Sequence, residues 1–219
     1  MKQFFFLSSC LSRIFAVIIF CTSCTLAQQP KQWVTYAGGE GPGKGKHIVL
    51  ISGDEEYRSE EALPMLGKIL SLKYGFKCTV LFAVDPKTGH INVETLDNIP
   101  GLENLQTADL MVIFTRFREL PDGQMKYIDD YIRKGKPVIG LRTATHAFYY
   151  KKDPNNKYAK YSFNSKVKGW EDGFGRKILG ETWINHHGKH GSEGTRGLIN
   201  GIVQDEKNPI LNGVADIWG

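Results

Sequence analysis

The chain has 219 residues, 41% of them hydrophobic and 23% charged, enough for one globular domain with a substantial core. Its formal charge of +5 includes Lys2 and Arg13 in an apolar leader. Taking those two from 28 basic residues leaves 26 against 23 acidic ones, a net of +3, too mild to argue for a nucleic-acid partner. Cys10, Cys21 and Cys24 belong to the same leader, so Cys78 is the only thiol of the mature chain, which excludes an intrachain disulfide.

Residues 1–27 read as a secretory signal peptide: Lys2 and Arg13 flank a Phe-rich stretch, Ile14 to Cys24 is apolar and uncharged, and Thr25-Leu26-Ala27 offers small residues for cleavage before Gln28. The run is short for a membrane span. The protein is therefore expected to be exported, periplasmic or secreted, with a lipoprotein cleaved before Cys24 as the alternative. Cys21 stands where such a signal usually has Leu. Membrane contact is expected only if the chain is lipidated or uncleaved.

Residues 28–46 form a Gly-rich leader, expected to be a flexible basic linker with Trp33 and Tyr36 as anchors onto the body. Gly38 to Lys44 fits the skeleton of a phosphate loop. However, Gly45 stands at the Ser/Thr position and a strand follows where a helix is needed, so that reading is rejected. His47 to Ser52 is the first apolar strand, ending in the polar run Gly53-Asp54-Glu55-Glu56-Tyr57-Arg58-Ser59. A helix follows, started by Ser59, Glu60 and Glu61, with Leu63, Leu66, Ile69 and Leu70 inward, and Gly75 stops it. Lys77 to Val84 is the second strand, 85–89 a turn, and 90–106 a loop with one helical turn.

Asp109 to Thr115 is the third strand and ends in Arg116-Phe117-Arg118-Glu119. Pro121 opens a helix with Met125, Ile128, Tyr131 and Ile132 inward, and Gly135 ends it. Val138 to Leu141 is the fourth strand, short and apolar, and it turns polar at once in Arg142, Thr143, Thr145 and His146. Beyond Phe148, residues 149–168 read as an exposed Lys- and Tyr-rich excursion, 170–179 as a short helix, 180–197 as a loop and 198–203 as a fifth strand. The ending at Ile217-Trp218-Gly219, with no polar tail, reads as a truncation.

Apolar strands alternating with helices predict an α/β protein, a three-layer sandwich around a mostly parallel sheet. In such a sheet the polar turns converge on a crevice at the carboxyl ends of the strands. Those turns supply Asp54, Glu55, Tyr57, Arg58, Arg116, Arg118, Arg142, Thr143, Thr145 and His146. Each alone reads as a solvated loop side chain, but four arginines at strand ends form a set of forked donors for carboxylates and hydroxyls. The second cluster is Asn185-His186-His187-Gly188-Lys189-His190-Gly191. Its imidazoles suit proton transfer or hydrogen bonding to substrate, or a divalent metal, although their spacing matches no standard zinc motif. A solvated loop is the plain alternative. Trp183 is expected to pin the loop to the body so that His186 or His187 faces Arg142 and His146. Arginines nearby would then lower at least one imidazole pKa.

Gly135-Lys-Pro-Val-Ile-Gly-Leu-Arg142 resembles the nucleophile-bearing stretch of class I glutamine amidotransferases. Together with Gly53-Asp-Glu-Glu-Tyr-Arg58, Gly140-Leu-Arg-Thr-Ala-Thr-His-Ala-Phe148 and Gly180-Glu-Thr-Trp-Ile-Asn-His-His187, it resembles the ThuA-like (trehalose-utilisation) family over about residues 45–219. The resemblance implies a flavodoxin-like, class I glutamine amidotransferase-like domain over 47–219, a link to carbohydrate use, and a chain that ends before the family does. Amidotransferases place Cys where Arg142 stands, and many ThuA-like proteins place His there. Arg142 stays protonated and cannot be a nucleophile. His186 matches the family's His after the Gly-rich helix.

The expectation is thus an exported protein that binds or converts a trehalose- or keto-sugar-type carbohydrate. His186, His187 and His146 would be the catalytic candidates. Asp54, Glu55, Tyr57, Arg58, Arg116, Arg118, Arg142, Thr143 and His190 would be the substrate-binding ones. The alternatives are a sugar-binding or scaffolding module that has lost the nucleophile, and a metal-dependent hydrolase built on the His loop. No cofactor is assigned beyond that metal reading, and a homo-oligomer is left open.

Overall fold

The computed structural model describes residues 31–186, 188–189, 191–193, 196–197, 209–211 and 217–218. All lie within the compact unit Lys31–Gly219. The expected signal peptide at 1–27 and the expected fifth strand at 198–203 fall outside the described residues.

Four strands are parallel: β2 (His47–Gly53), β3 (Lys77–Leu81), β4 (Leu110–Thr115) and β5 (Val138–Gly140), with β1 (Trp33–Tyr36) antiparallel at one edge. The order is β1-β3-β2-β4-β5. The parallel strands run outward in both directions from β2, so this is a doubly wound sheet that reverses between β2 and β4. Helix α1 (Ser59–Tyr74) packs Leu63, Leu66 and Leu70 on one face with Ile48, Leu50 and Val80. Helix α2 (Asp122–Arg133) packs Met125, Ile128 and Tyr131 on the other with Val49, Ile51 and Ile113. The protein is a three-layer α/β sandwich. Every residue of β2 is buried, which is why a strand covered on both faces reads as an unbroken apolar run.

Helix α1 ends where Gly75, at φ 79°, donates its N–H to Ser71 O (3.1 Å) while Phe76 N–H donates to Leu70 O (3.3 Å), a glycine-closed last turn. No helix among the described residues is long and apolar enough to cross a membrane.

Four expectations are corrected. The leader is no flexible linker over its described part: Trp33–Tyr36 pairs with Cys78–Leu81, and Gly39 and Gly43 donate N–H bonds to Gly75 O and Tyr74 O. Its Lys44, the lysine of the rejected phosphate loop, pairs with Glu40. Ile69 points outward and is 42% exposed. Strand β5 is only half-buried, with Ile139 at 48% exposure, as befits an edge strand among the described residues.

The fourth correction is the largest. Residues 149–168 are not an exposed excursion, because Tyr150, Tyr158 and Tyr161 join the core on the α2 face. Tyr150 O–H donates to Leu120 O at 2.9 Å and Tyr161 O–H to Asp129 Oδ1 at 2.7 Å. A tyrosine buries its ring when its hydroxyl finds such a partner. Lys151, Lys152 and Lys157 keep their ammonium groups at the surface, while Lys160 lies over the Tyr161 and Trp170 rings, and so the stretch reads as polar.

Candidate functional site

The carboxyl ends of β2, β4 and β5 run into three loops that are tied to one another. Phe117 and Arg118, after β4, donate backbone N–H bonds to His146 O (3.0 Å), the last residue of the 3-10 turn Arg142–His146 that follows β5, and to Ala147 O (2.8 Å), which caps that turn. Asp54, after β2, is fully buried and accepts the Thr143 hydroxyl from that turn, along with the N–H groups of Glu56 and Tyr57. Behind the turn, Gly175 fits so closely that a Cβ there would lie 2.2 Å from Thr145 O. Only a glycine lets the helix Gly175–Leu179 press against the residue before His146.

The backbone is strained where these loops meet. Four non-glycine residues have left-handed backbone among the described residues, and three of them, Arg58, Phe117 and Arg142, stand in these loops. Such conformations cost about 1–3 kcal/mol each and persist where the surroundings impose them, commonly at functional sites.

Between the loops lies a crevice of about 200 Å³, smaller than the roughly 300–1,000 Å³ that houses a drug-sized ligand. Of the sequence-derived candidates, Tyr57, Arg116, Arg142, Thr143, His146 and His186 line it. Trp183 lines it too, half-buried, with its ring 5.0 Å from His146, 5.7 Å from Phe163 and 5.8 Å from His186. The indole stands between the body and the start of the His loop. Glu56, Thr145 and Asn185 complete the lining. Glu56 and Asn185 were missed as ligand candidates, and their position beside Tyr57 and His186 was the only signal for them.

Four candidates do not line the crevice. Asp54 lies beneath it, its oxygens already taken. Arg118 is also fully buried and spends its guanidinium on Glu55 and on the carbonyls of Arg116, Val93 and Thr95. It is a strut that joins the β2 and β4 loops to the 90–98 connection. Glu55 bridges Arg116 and Arg118. Arg58 pairs with Glu61 on the outside of α1. His187 and His190 lie outside the described residues. Among the described residues, no three His, Cys, Asp or Glu side chains are grouped to hold a metal.

His146 is the most perturbed group of the lining. Its pKa falls to about 4, first because burial penalises the imidazolium and then because Arg116 and His186 repel it, while Asp54 opposes the shift. Burial, and not the arginines, is therefore the main cause. Thr145 Oγ1 and His146 Nδ1 share a hydrogen bond of 3.2 Å. The result is a neutral ring held between Phe117 and Trp183, each 5.0 Å away. Cys78 is far from this chemistry: it is buried inside β3, and burial pushes its thiol up to about 11.

No family model, no curated protein and no solved structure matches this chain.

Proposed function

We propose that this is an exported ThuA-like protein of carbohydrate utilisation that binds a sugar or keto-sugar in the crevice at the carboxyl ends of β2, β4 and β5. One observation carries the reading. Trp183 stands beside His146 and His186 in a small crevice that Arg142 also lines, and the remaining groups are the hydroxyls of Tyr57, Thr143 and Thr145, the Asn185 amide and the Glu56–Arg116 ion pair. A sugar ring offers an apolar face for an indole and a girdle of hydroxyls for neutral donors and acceptors, and specificity in small-molecule sites comes from a few such convergent polar groups.

Binding is favoured over turnover by His146. Proton transfer is most efficient when the pKa lies near the working pH, and a value of about 4 is far from neutral. His146 is suited to exchanging hydrogen bonds with a hydroxyl or keto oxygen. In a converting enzyme the proton would pass through His186 or His187. A glutamine amidotransferase is not proposed, because Arg142 occupies the nucleophile position and Cys78 is buried as a thiol. The metal-dependent reading rests on His186, His187 and His190 together, of which His187 and His190 lie outside the described residues.

Calorimetric titration of the full mature chain with simple aldoses and keto-sugars tests the proposal. Trp183→Ala and His186→Ala, each first shown to melt cooperatively, should weaken binding about threefold to tenfold, the worth of one aromatic or polar contact. Unchanged affinity in both variants removes the crevice from consideration.

A further inference from the structure

The arginines of this protein are not equivalent. Six have described side chains, and five of them are ion-paired: Arg58 with Glu61, Arg116 with Glu55 and Glu56, Arg118 with Glu55, Arg133 with Asp129 and Asp130, and Arg176 with Asp172 and Glu181. Arg142 makes no ion pair among the described residues. Its one recorded partner is a ring, with the guanidinium carbon 4.1 Å from the centre of Tyr57.

Arg142 also sits where a non-glycine residue is strained, at φ 50°, directly after β5 and at the mouth of the crevice. The guanidinium lies over the Tyr57 ring, and among the described residues its N–H donors make no ion pair, which leaves them for a planar carboxylate that an Arg fork can grip with two parallel bonds. The charges in and beneath the crevice are formally balanced, since Asp54, Glu55 and Glu56 match Arg116, Arg118 and Arg142 in number. The balance is uneven in space. Asp54 lies below the floor with its oxygens taken, and Glu55 and Glu56 are held by Arg116 and Arg118. The other lining groups nearby, Thr143, Thr145, Asn185 and His146, bring no anion.

We infer that Arg142 is the binding group for a carboxylate on the ligand, so that the preferred ligand of the crevice is a sugar acid and not a neutral sugar. The inference rests on the carbohydrate reading above and adds the substrate's charge to it. A carboxylate at the mouth pairs with the Arg142 fork, and the hydroxylated ring behind it meets Trp183, His146 and Thr145. One guanidinium matches a carboxylate monoanion. A phosphate would call for further cations that this rim does not offer among the described residues.

The test compares four probes by calorimetry on the full mature chain: D-glucuronate, its methyl ester, D-glucose and D-glucose 6-phosphate. Glucuronate should bind about tenfold more tightly than the ester or glucose, the scale of one charge-assisted pair at a partly exposed rim. The preference should shrink as salt is raised. Arg142→Asn, which tolerates the left-handed backbone, should bind all the non-phosphorylated probes alike, and Arg142→Lys should keep only part of the preference. If glucose and the ester bind as well as glucuronate to the unaltered protein, the carboxylate assignment is wrong while the sugar site stands. Tightest binding of the 6-phosphate also overturns it. If none of the four binds, the carbohydrate reading falls and takes this inference with it. Should Arg142→Asn fail to fold, the glucuronate-to-ester ratio of the unaltered protein decides alone.

Discussion

Asp54 and Thr143 are 89 residues apart in the chain and share a buried hydrogen bond, the threonine hydroxyl donating to Oδ2. The bond joins the loop after β2 to the turn after β5 across the full width of β4. The other oxygen of Asp54 accepts the N–H groups of Glu56 and Tyr57. One carboxylate thus sets the position of Tyr57 on one wall and, through Thr143, of the turn that carries Arg142 and His146.

Thr143→Val keeps the shape of the side chain and removes the donor. It leaves a buried carboxylate oxygen without that partner, at a cost of about 1–3 kcal/mol. Urea denaturation should show a lower midpoint at an unchanged slope, and ligand affinity should fall because Arg142 and His146 lose their fixed placement. Thr143→Ser should restore both. Stability equal to that of the unaltered protein in Thr143→Val would mean the two loops are held by other contacts.

No glutaminase activity is expected. The Cys78 thiol lies within the sheet, with a pKa pushed up to about 11 by burial, whereas thiolate catalysis needs an exposed, activated cysteine beside a base. The check is ammonia release from glutamine. Release that disappears in Cys78→Ser would contradict the structural position of this residue.

Stability should fall on mild acidification. His47 is buried between Thr107 and Thr79, and burial followed by the Lys77 charge holds it below its ordinary value. His146 is held at about 4. For both, the unfolded chain binds the proton more readily than the folded one. The stabilisation is therefore complete above the ordinary imidazole pKa of about 6.5 and is lost as pH falls through the folded value. For His146 the window runs from about 6.5 to about 4 and spans at most about 3 kcal/mol. Denaturation at pH 7.5, 5.5 and 4.5 should show the decline, and His146→Gln should flatten it relative to the unaltered protein. A parallel decline in the variant would assign the effect to other groups.

Export is expected to remove the first 27 residues. Mass spectrometry of the protein recovered from an exporting host should give an N-terminus at Gln28. A lipidated terminus at Cys24 would instead make the protein a membrane-anchored lipoprotein, and an intact Met1 would exclude both.

The four parallel strands, both long helices and the crevice end of the sheet are legible in the sequence because their causes are local. Ile48 to Ile51 and Met111 to Phe114 are unbroken apolar runs because both faces of the sheet are covered. Met125, Ile128 and Tyr131 repeat at helical spacing behind Pro121. Polar residues after β2, β4 and β5 place Tyr57, Arg116, Arg142 and His146 at the crevice by topology alone.

The roles of those polar residues were decided by tertiary contacts. Arg116, Arg118 and Arg142 read alike in the sequence, yet one is braced by two carboxylates, one is buried as a strut on distant carbonyls, and one faces the crevice stacked on a tyrosine. Edge strand β1 and the buried tyrosines at 150, 158 and 161 were hidden for the same reason. Strand β1 is ordered by β3, more than 40 residues away, and Tyr150 and Tyr161 by Leu120 O and Asp129. Hydrophobic periodicity records how each segment meets the core. Whether a charged or hydroxyl group is used up inside the protein or left for a ligand depends on partners brought together only by folding.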